Sequence, residues 1–282
     1  MIYRRTDIAA EAHRLWAESA ESLTELPGVV ARTQKLGAFS IEQVEIRSPE
    51  GSEALRKPQG LYFTLETSSL PTRGHPDFVT AAAALAELIR RCLPHAPSSA
   101  LVVLLGNSDI TPDALGSLTA PWLLVTRHLR DNVVFDGACS VAVCRPGVLG
   151  TSGVESAQQV SAMTRLLQPD CIVCVDALAG ADPSRVCRTV QVCSSGISPG
   201  SGVGNNRESL DQDSLGVPVV AIGVPTVLDA AALSADAQLS DCFLTLRSID
   251  LSVRSAARLI GYGIDLALQP QLTVSDIDML VA

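Results

Sequence analysis

The sequence predicts an α/β fold, a mostly parallel sheet with helices on both faces, and two observations carry that prediction. Apolar runs of strand length, such as Ala100–Leu105 and Val217–Ile222, alternate with stretches of helical periodicity, such as Asp77–Cys92 and Glu155–Leu167. The runs are apolar at successive positions, which is the pattern of strands covered on both faces. Hydrophobic residues make up 47% of the chain and aromatic residues only 4%, so Ala, Val, Leu and Ile must fill the core.

Taken in order, Asp7–Ala20 carries Ile8, Ala12, Leu15 and Trp16 at helical spacing. Val44–Ile46 and Gly60–Leu65 read as two strands joined by the polar stretch Ser48–Gln59, which has short helical content. Asp77–Cys92 opens on an acidic residue and closes on Arg90–Arg91, as the helix dipole prefers. The strand Ala100–Leu105 leads through the loop Gly106–Pro112 to a helical turn over Asp113–Leu118, and Trp122–Thr126 reads as another strand. Glu155–Leu167 is a helix, and Cys171–Val175 a strand ending at Asp176. Pro183–Cys187 reads as a short helix, Thr189–Cys193 as a strand, Ser209–Ser214 as a polar connection and Val217–Ile222 as the last clear strand. Helical periodicity returns over Ile249–Leu268. No internal repeat or low-complexity linker interrupts the pattern, so a single domain is expected.

Composition excludes several classes. No apolar run approaches the ~20 residues that span a bilayer. Met1–Glu11 holds Arg4, Arg5, Asp7 and Glu11 where a secretory signal would be apolar, so a cytoplasmic protein with eight reduced cysteines is expected. The net charge of −9, with dispersed basic residues, argues against a broad nucleic-acid-binding face.

Two aspartates stand where open α/β sheets collect reactive groups, at the carboxyl ends of strands. Asp176 follows Cys171–Val175, and Asp113 ends the loop that leaves Ala100–Leu105. Two carboxylates in a partly dry crevice cannot both ionise cheaply, so one keeps a proton, and such a pair can activate water and protonate a leaving amine. The competing reading makes Asp113 a helix cap and Asp176 a solvated strand end. Asp109, in the middle of the same loop, suits a turn better.

The segment Ser194–Asn206 is rich in glycine, and the amides around Gly200, Ser201, Gly202, Gly204 and Asn205 could hold an anion, an oxyanion or a peptide backbone. A plain structural loop is the alternative. It matches neither the dinucleotide fingerprint nor a P-loop. Cys171 and Cys174 have metal-type spacing, but residues three apart on a strand face opposite ways, and no second pair accompanies them. Of the four scattered histidines, only His128 could reach the crevice, where it would serve a metal-dependent site. No Gly-x-Ser-x-Gly elbow is present.

Six segments, in order, resemble the germination proteases of spore-forming bacteria. They are Arg5–Ala12, Gly106-Asn107 with Thr111–Gly116, Val125–Leu129, Val175–Ala179, Gly196–Asn205 and Ala221–Val227. Even Gly261–Leu268 is similar to the family's C-terminal helix. The resemblance implies a fold like that of hydrogenase-maturation proteases, a tetramer, no required cofactor, and a cytoplasmic enzyme of the spore core. It implies a self-processing endopeptidase whose substrates are small acid-soluble proteins that coat DNA, degraded on germination. By the same resemblance Asp113 and Asp176 are the catalytic pair. Gly200, Ser201, Gly202, Gly204 and Asn205 are then expected to bind substrate as a backbone clamp beside the pair, and the resemblance implies that cleavage between Asp7 and Ile8 removes residues 1–7 from a peptidase domain of residues 8–282. The family's long charged insertion is replaced here by the Ala-rich stretch Ala230–Leu239. A metal-dependent maturation-type peptidase and a non-catalytic ligand-binding module are the competing functions.

Overall fold

The computed structural model describes residues 6–19, 25–67, 69–130, 132–200, 207–230, 233 and 242–281. Along the chain, α1 (Ala9–Ser19) precedes a meander of β1 (Val29–Leu36), β2 (Phe39–Ile46) and β3 (Gly60–Glu66), with α2 (Pro49–Leu55) between the last two. Next come α3 (Phe78–Cys92), β4 (Ser99–Leu104), α4 (Leu115–Thr119), β5 (Ser140–Cys144), α5 (Leu149–Ser152), α6 (Ser156–Leu167), β6 (Cys171–Gly180) and β7 (Thr189–Cys193). The rest comprises α7 (Gln212–Leu215), β8 (Val219–Asp229), β9 (Phe243–Leu244), α8 (Ile249–Leu268) and α9 (Val274–Val281).

The strands form one sheet in the order β1-β2-β3-β7-β8-β6-β4-β5, with β9 added to β8. The fold is α/β as expected, but the sheet is mixed. Only β8–β6, β6–β4 and β4–β5 pair in parallel, and the other half is antiparallel. The reason is local. β1 and β2 are joined by the two-residue turn Gly37-Ala38, which permits only a hairpin. The connection 181–188 between β6 and β7 is too short for the dozen or so residues a parallel crossover needs.

Alternation along the strands sorts side chains into two apolar layers. Val102, Val173, Val192 and Val220 face α3 and α8, where Leu85 and Ile260 meet them. Leu101, Val103, Ile172, Cys174 and Cys193 face α1, α2 and α6, represented by Ala9, Leu55 and Val160. Cys171 and Cys174 accordingly lie in different layers. Among the described residues, no helix is long and apolar enough to cross a membrane.

Three sequence expectations differ from the structure. Trp122–Thr126 is not a strand: the N–H of Leu124 donates to the Asp265 carboxylate at 3.0 and 3.1 Å, so it is not available to a ladder, and β5 takes the edge position. Pro183–Cys187 forms turns, held by Asp182 accepting from Ser184 N–H at 2.9 Å, rather than a helix. β6 does not end at Asp176. Its ladder with β8 runs on to Gly180, because Ala177–Gly180 pair with Val224–Leu228 across one register shift. Asp176 is therefore a mid-strand residue.

Candidate active site

Asp176 belongs to the face of β6 that carries Ile172 and Cys174, so an apolar strand delivers a carboxyl group into the layer beneath α1 and α2. It is 5% exposed. Burial pushes its pKa well above the usual carboxylate range, the charge of Asp113 pushes the same way, and the Ala177 N–H and Arg207 oppose only in part. Asp113 is less buried. Burial raises its pKa too, against the Asn107 N–H, which donates to Oδ2 at 2.8 Å, and the cation of Arg207.

Gly106 explains how Asp113 arrives there. Its φ is +95°, and a Cβ at this position would fall 2.0 Å from the carbonyl oxygen of Asp113. Only glycine lets the loop fold back so tightly after β4, and the fold-back sets Asp113 against the end of the strand next to β6. Asp113 and Asp176 thus line one cleft of about 1540 Å³, together with Arg207. Arg207 is itself held near Glu155, 3.8 Å away.

The far wall is the glycine-rich loop. Gly196 sits at φ +74°, and a Cβ there would collide with the carbonyl of Leu210 at 2.1 Å. The close approach lets Ile197 bridge to Leu210, and the Ser198 and Ser209 hydroxyls meet at 2.7 Å. Gly200 lines the cleft. Ser201, Gly202, Gly204 and Asn205 lie outside the described residues.

The chain's own N-terminal segment occupies part of this cleft. Asp7 N–H donates to Ala179 O at 2.8 Å, and Asp7 Oδ2 accepts from Ala179 N–H at 2.9 Å. Its other oxygen lies 3.8 Å from Lys57 Nζ. Gln191 donates to Asp7 O at 3.0 Å and accepts from Ala9 N–H at 2.8 Å, while Ile8 is fully buried. Glu11 anchors the start of α1 from inside: Oε2 accepts from Thr6 Oγ1 at 2.5 Å and from Ala181 N–H at 2.7 Å. Burial pushes the Glu11 pKa up.

Sequence reasoning therefore named Asp113, Asp176, Asp7, Ile8 and Gly200, and the fold brings Asp113, Asp176, Asp7 and Gly200 to one cleft, with Ile8 buried beside it. His128 does not join them. It is exposed on a 3₁₀ turn, Arg127–Leu129, and does not line the cleft. Asp109 is exposed in a turn closed by its N–H donating to Asn107 Oδ1 at 3.0 Å. Among the described residues no three His, Cys, Asp or Glu side chains converge to hold a metal ion. The stretch Ala230–Leu239 lies largely outside the described residues. Gln191, Lys57 and Arg207 were missed. Gln191 left one signal, a polar residue in the otherwise apolar core of a strand; Lys57 and Arg207 stand in polar loops and left none.

Comparison with known proteins shows the family to which the chain belongs. A family model described as germination protease matches residues 7–245. A germination protease of Clostridium perfringens strain 13 is 34% identical over 325 aligned positions, covering 97% of this chain and 98% of its own. One from Caldanaerobacter subterraneus subsp. tengcongensis is 36% identical, covering 98% of both. One from Geobacillus sp. WCH70 is 37% identical over 82% of this chain and 65% of its own.

Proposed function

Since this chain belongs to the germination protease family and is an endopeptidase, we propose that it processes itself between Asp7 and Ile8 and then begins the degradation of small acid-soluble, DNA-binding spore proteins during germination. One observation carries the reading: the buried Asp176 carboxyl, whose proton affinity is raised by burial and by the charge of Asp113, lines with Asp113 a cleft in which a peptide of the chain already lies.

In this reading the pair holds one proton. It resides on Asp176, whose burial is deeper, while Asp113 keeps its charge with the help of Asn107 N–H and Arg207. The Asp113 carboxylate takes a proton from water as the water oxygen bonds to the peptide carbonyl carbon. The C–N bond then breaks, and Asp176 supplies the proton that the departing amine needs. The free acid and amine are the products, and transfer of the proton from Asp113 to Asp176 restores the pair. The glycine-rich loop from Gly200, including Ser201, Gly202, Gly204 and Asn205, presents backbone amides to the substrate chain. Residues 1–7 are the departing propeptide, and the mature enzyme assembles as a tetramer of the spore core.

The test is incubation of the purified protein with a small acid-soluble spore protein, beside Asp113→Asn and Asp176→Asn. Each variant should lose about 10²–10⁴-fold in rate while its circular dichroism stays that of the parent. Full activity in both removes the aspartate pair. An active enzyme that keeps Met1 removes the processing site.

A further inference from the structure

Gln191 is a buried amide in a strand whose neighbours Val190 and Val192 are apolar, and it is 6% exposed. A polar side chain at such a position costs free energy unless its hydrogen bonds are made. Both are made, and to the two backbone groups on either side of Ile8. Nε2 donates to the carbonyl oxygen of Asp7 at 3.0 Å, and Oε1 accepts from the N–H of Ala9 at 2.8 Å. The partners fix the orientation of the amide, because a carbonyl can only accept and a peptide N–H can only donate.

The sheet register places this amide beside the catalytic pair. Gln191 on β7 and Asp176 on β6 are both partners of Gly223 on β8, one on each side. Cys193 and Cys174, two residues away on the respective strands, share one apolar layer, so Gln191 and Asp176 point to the same face. Gly223 adds no side chain between them. Two strand spacings, about 10 Å, separate their backbones, and the Leu178 side chain packs against Gly223 between them. The Asp7 N–H and carboxylate are held by Ala179 at the same time, so the carbonyl of Asp7 is aimed and not merely near.

We infer that Gln191 is a catalytic residue, its Nε2–H donating to the carbonyl oxygen of the residue before the cut and stabilising the negative charge that oxygen gains as water adds. Its Oε1 clamps the N–H two residues further on. The inference rests on the reading that this cleft hydrolyses the bond after Asp7. A donor already 3.0 Å from the oxygen, inside a buried site, needs little rearrangement when the charge develops, and donors of this kind are worth about 10²–10³ in kcat.

The test uses the full chain, with a synthetic peptide copying residues 1–14 as substrate and the chain's own N-terminus as a second readout. Gln191→Glu keeps the acceptor for Ala9 N–H and loses the donor while ionised; Gln191→Met keeps only the shape. Both should lose about 10²–10³-fold in kcat on the peptide with KM changed by less than about threefold. Relative to wild type, Gln191→Glu should recover as the pH is lowered, because a protonated carboxyl restores a donor, and Gln191→Met should not. That divergence also demonstrates that Gln191→Glu is folded. Unchanged kcat, a loss confined to KM, or a loss confined to self-processing overturns the inference and makes Gln191 a docking residue for α1. A wild type that cleaves the peptide but keeps Met1 removes the processing site alone, and the peptide kinetics still decide the role of Gln191. A wild type that cleaves neither overturns the peptidase mechanism at this cleft, and the role of Gln191 with it.

Discussion

The Asp7 carboxylate and the Lys57 ammonium face each other across the cleft at 3.8 Å, with side chains only 12% and 15% exposed. Breaking one partner of a shielded pair leaves the other charge poorly solvated, which costs more than the intact pair contributes. Lys57→Glu should therefore slow the cut after Asp7 by at least tenfold, or about 1.4 kcal/mol. The double variant Asp7→Lys, Lys57→Glu should recover part of that loss. N-terminal mass spectrometry over a time course reads both; a double variant as slow as the sum of the singles would dissociate Lys57 from the reading of Asp7.

The carboxyl pair sets the pH dependence. Burial raises both pKa values and the charge of Asp113 further raises that of Asp176, so the folded site binds more protons than the unfolded chain above the ordinary carboxylate range. Stability contributed there is fullest at acid pH and falls as pH rises through the folded values. Asp176→Asn should abolish turnover yet raise the melting temperature at neutral and alkaline pH by a few degrees, since 1 kcal/mol is worth about 2–4 °C for a chain of this size. Thermal melts at pH 5 and pH 8 check the sign.

Gly106→Ala should mimic loss of Asp113 without touching a carboxylate. The added methyl would meet the Asp113 carbonyl and demand φ +95° of a residue that avoids it. A cost of about 1–3 kcal/mol in stability and at least a tenfold loss of rate, or about 1.4 kcal/mol, are expected. Urea unfolding and peptide hydrolysis report the two separately.

Asp265 gives a pH effect remote from the cleft. Buried in α8 with the Leu124 N–H on both oxygens, its carboxyl is pushed up to about 8. Folding keeps its proton between the ordinary value of 3.8 and about 8, so it lowers stability by up to about 1.4 kcal/mol for each pH unit climbed within that window. Asp265→Asn retains an acceptor for Leu124 and should flatten that slope, with activity intact. Denaturant midpoints from pH 5 to pH 8 would show it.

Much of this was legible before the fold was known, and the misses have physical causes. Continuous apolar runs exposed β4, β6 and β8, and helical spacing marked α8 at its observed bounds, Ile249–Leu268. β1 stayed hidden because its sequence, Val-Val-Ala-Arg-Thr-Gln-Lys-Leu, faces solvent along most of its length and lacks an apolar run. Trp122–Thr126 misled for the opposite reason: its apolar residues are buried, but against α8 and not in the sheet. At the site, Asp113 could be picked out at the end of a loop leaving a strand and Asp176 as the polar residue after an apolar run, although β6 runs past it to Gly180. Gln191 could not be assigned, because its meaning depends on Gly223 joining β7 to β6, a pairing between segments that local patterns do not report.

The docked Thr6–Ala9 segment has a kinetic consequence. If the bond after Asp7 is cut in the cleft of its own chain, it has no partner to find, so its cleavage would be unimolecular, with a half-time that does not change on dilution. A molecule isolated in a dehydrated, immobile interior could then mature alone. Until the first peptide leaves, the same segment competes with every incoming chain at a local concentration that no free substrate reaches, so dormancy and readiness would be two readings of one intramolecular equilibrium.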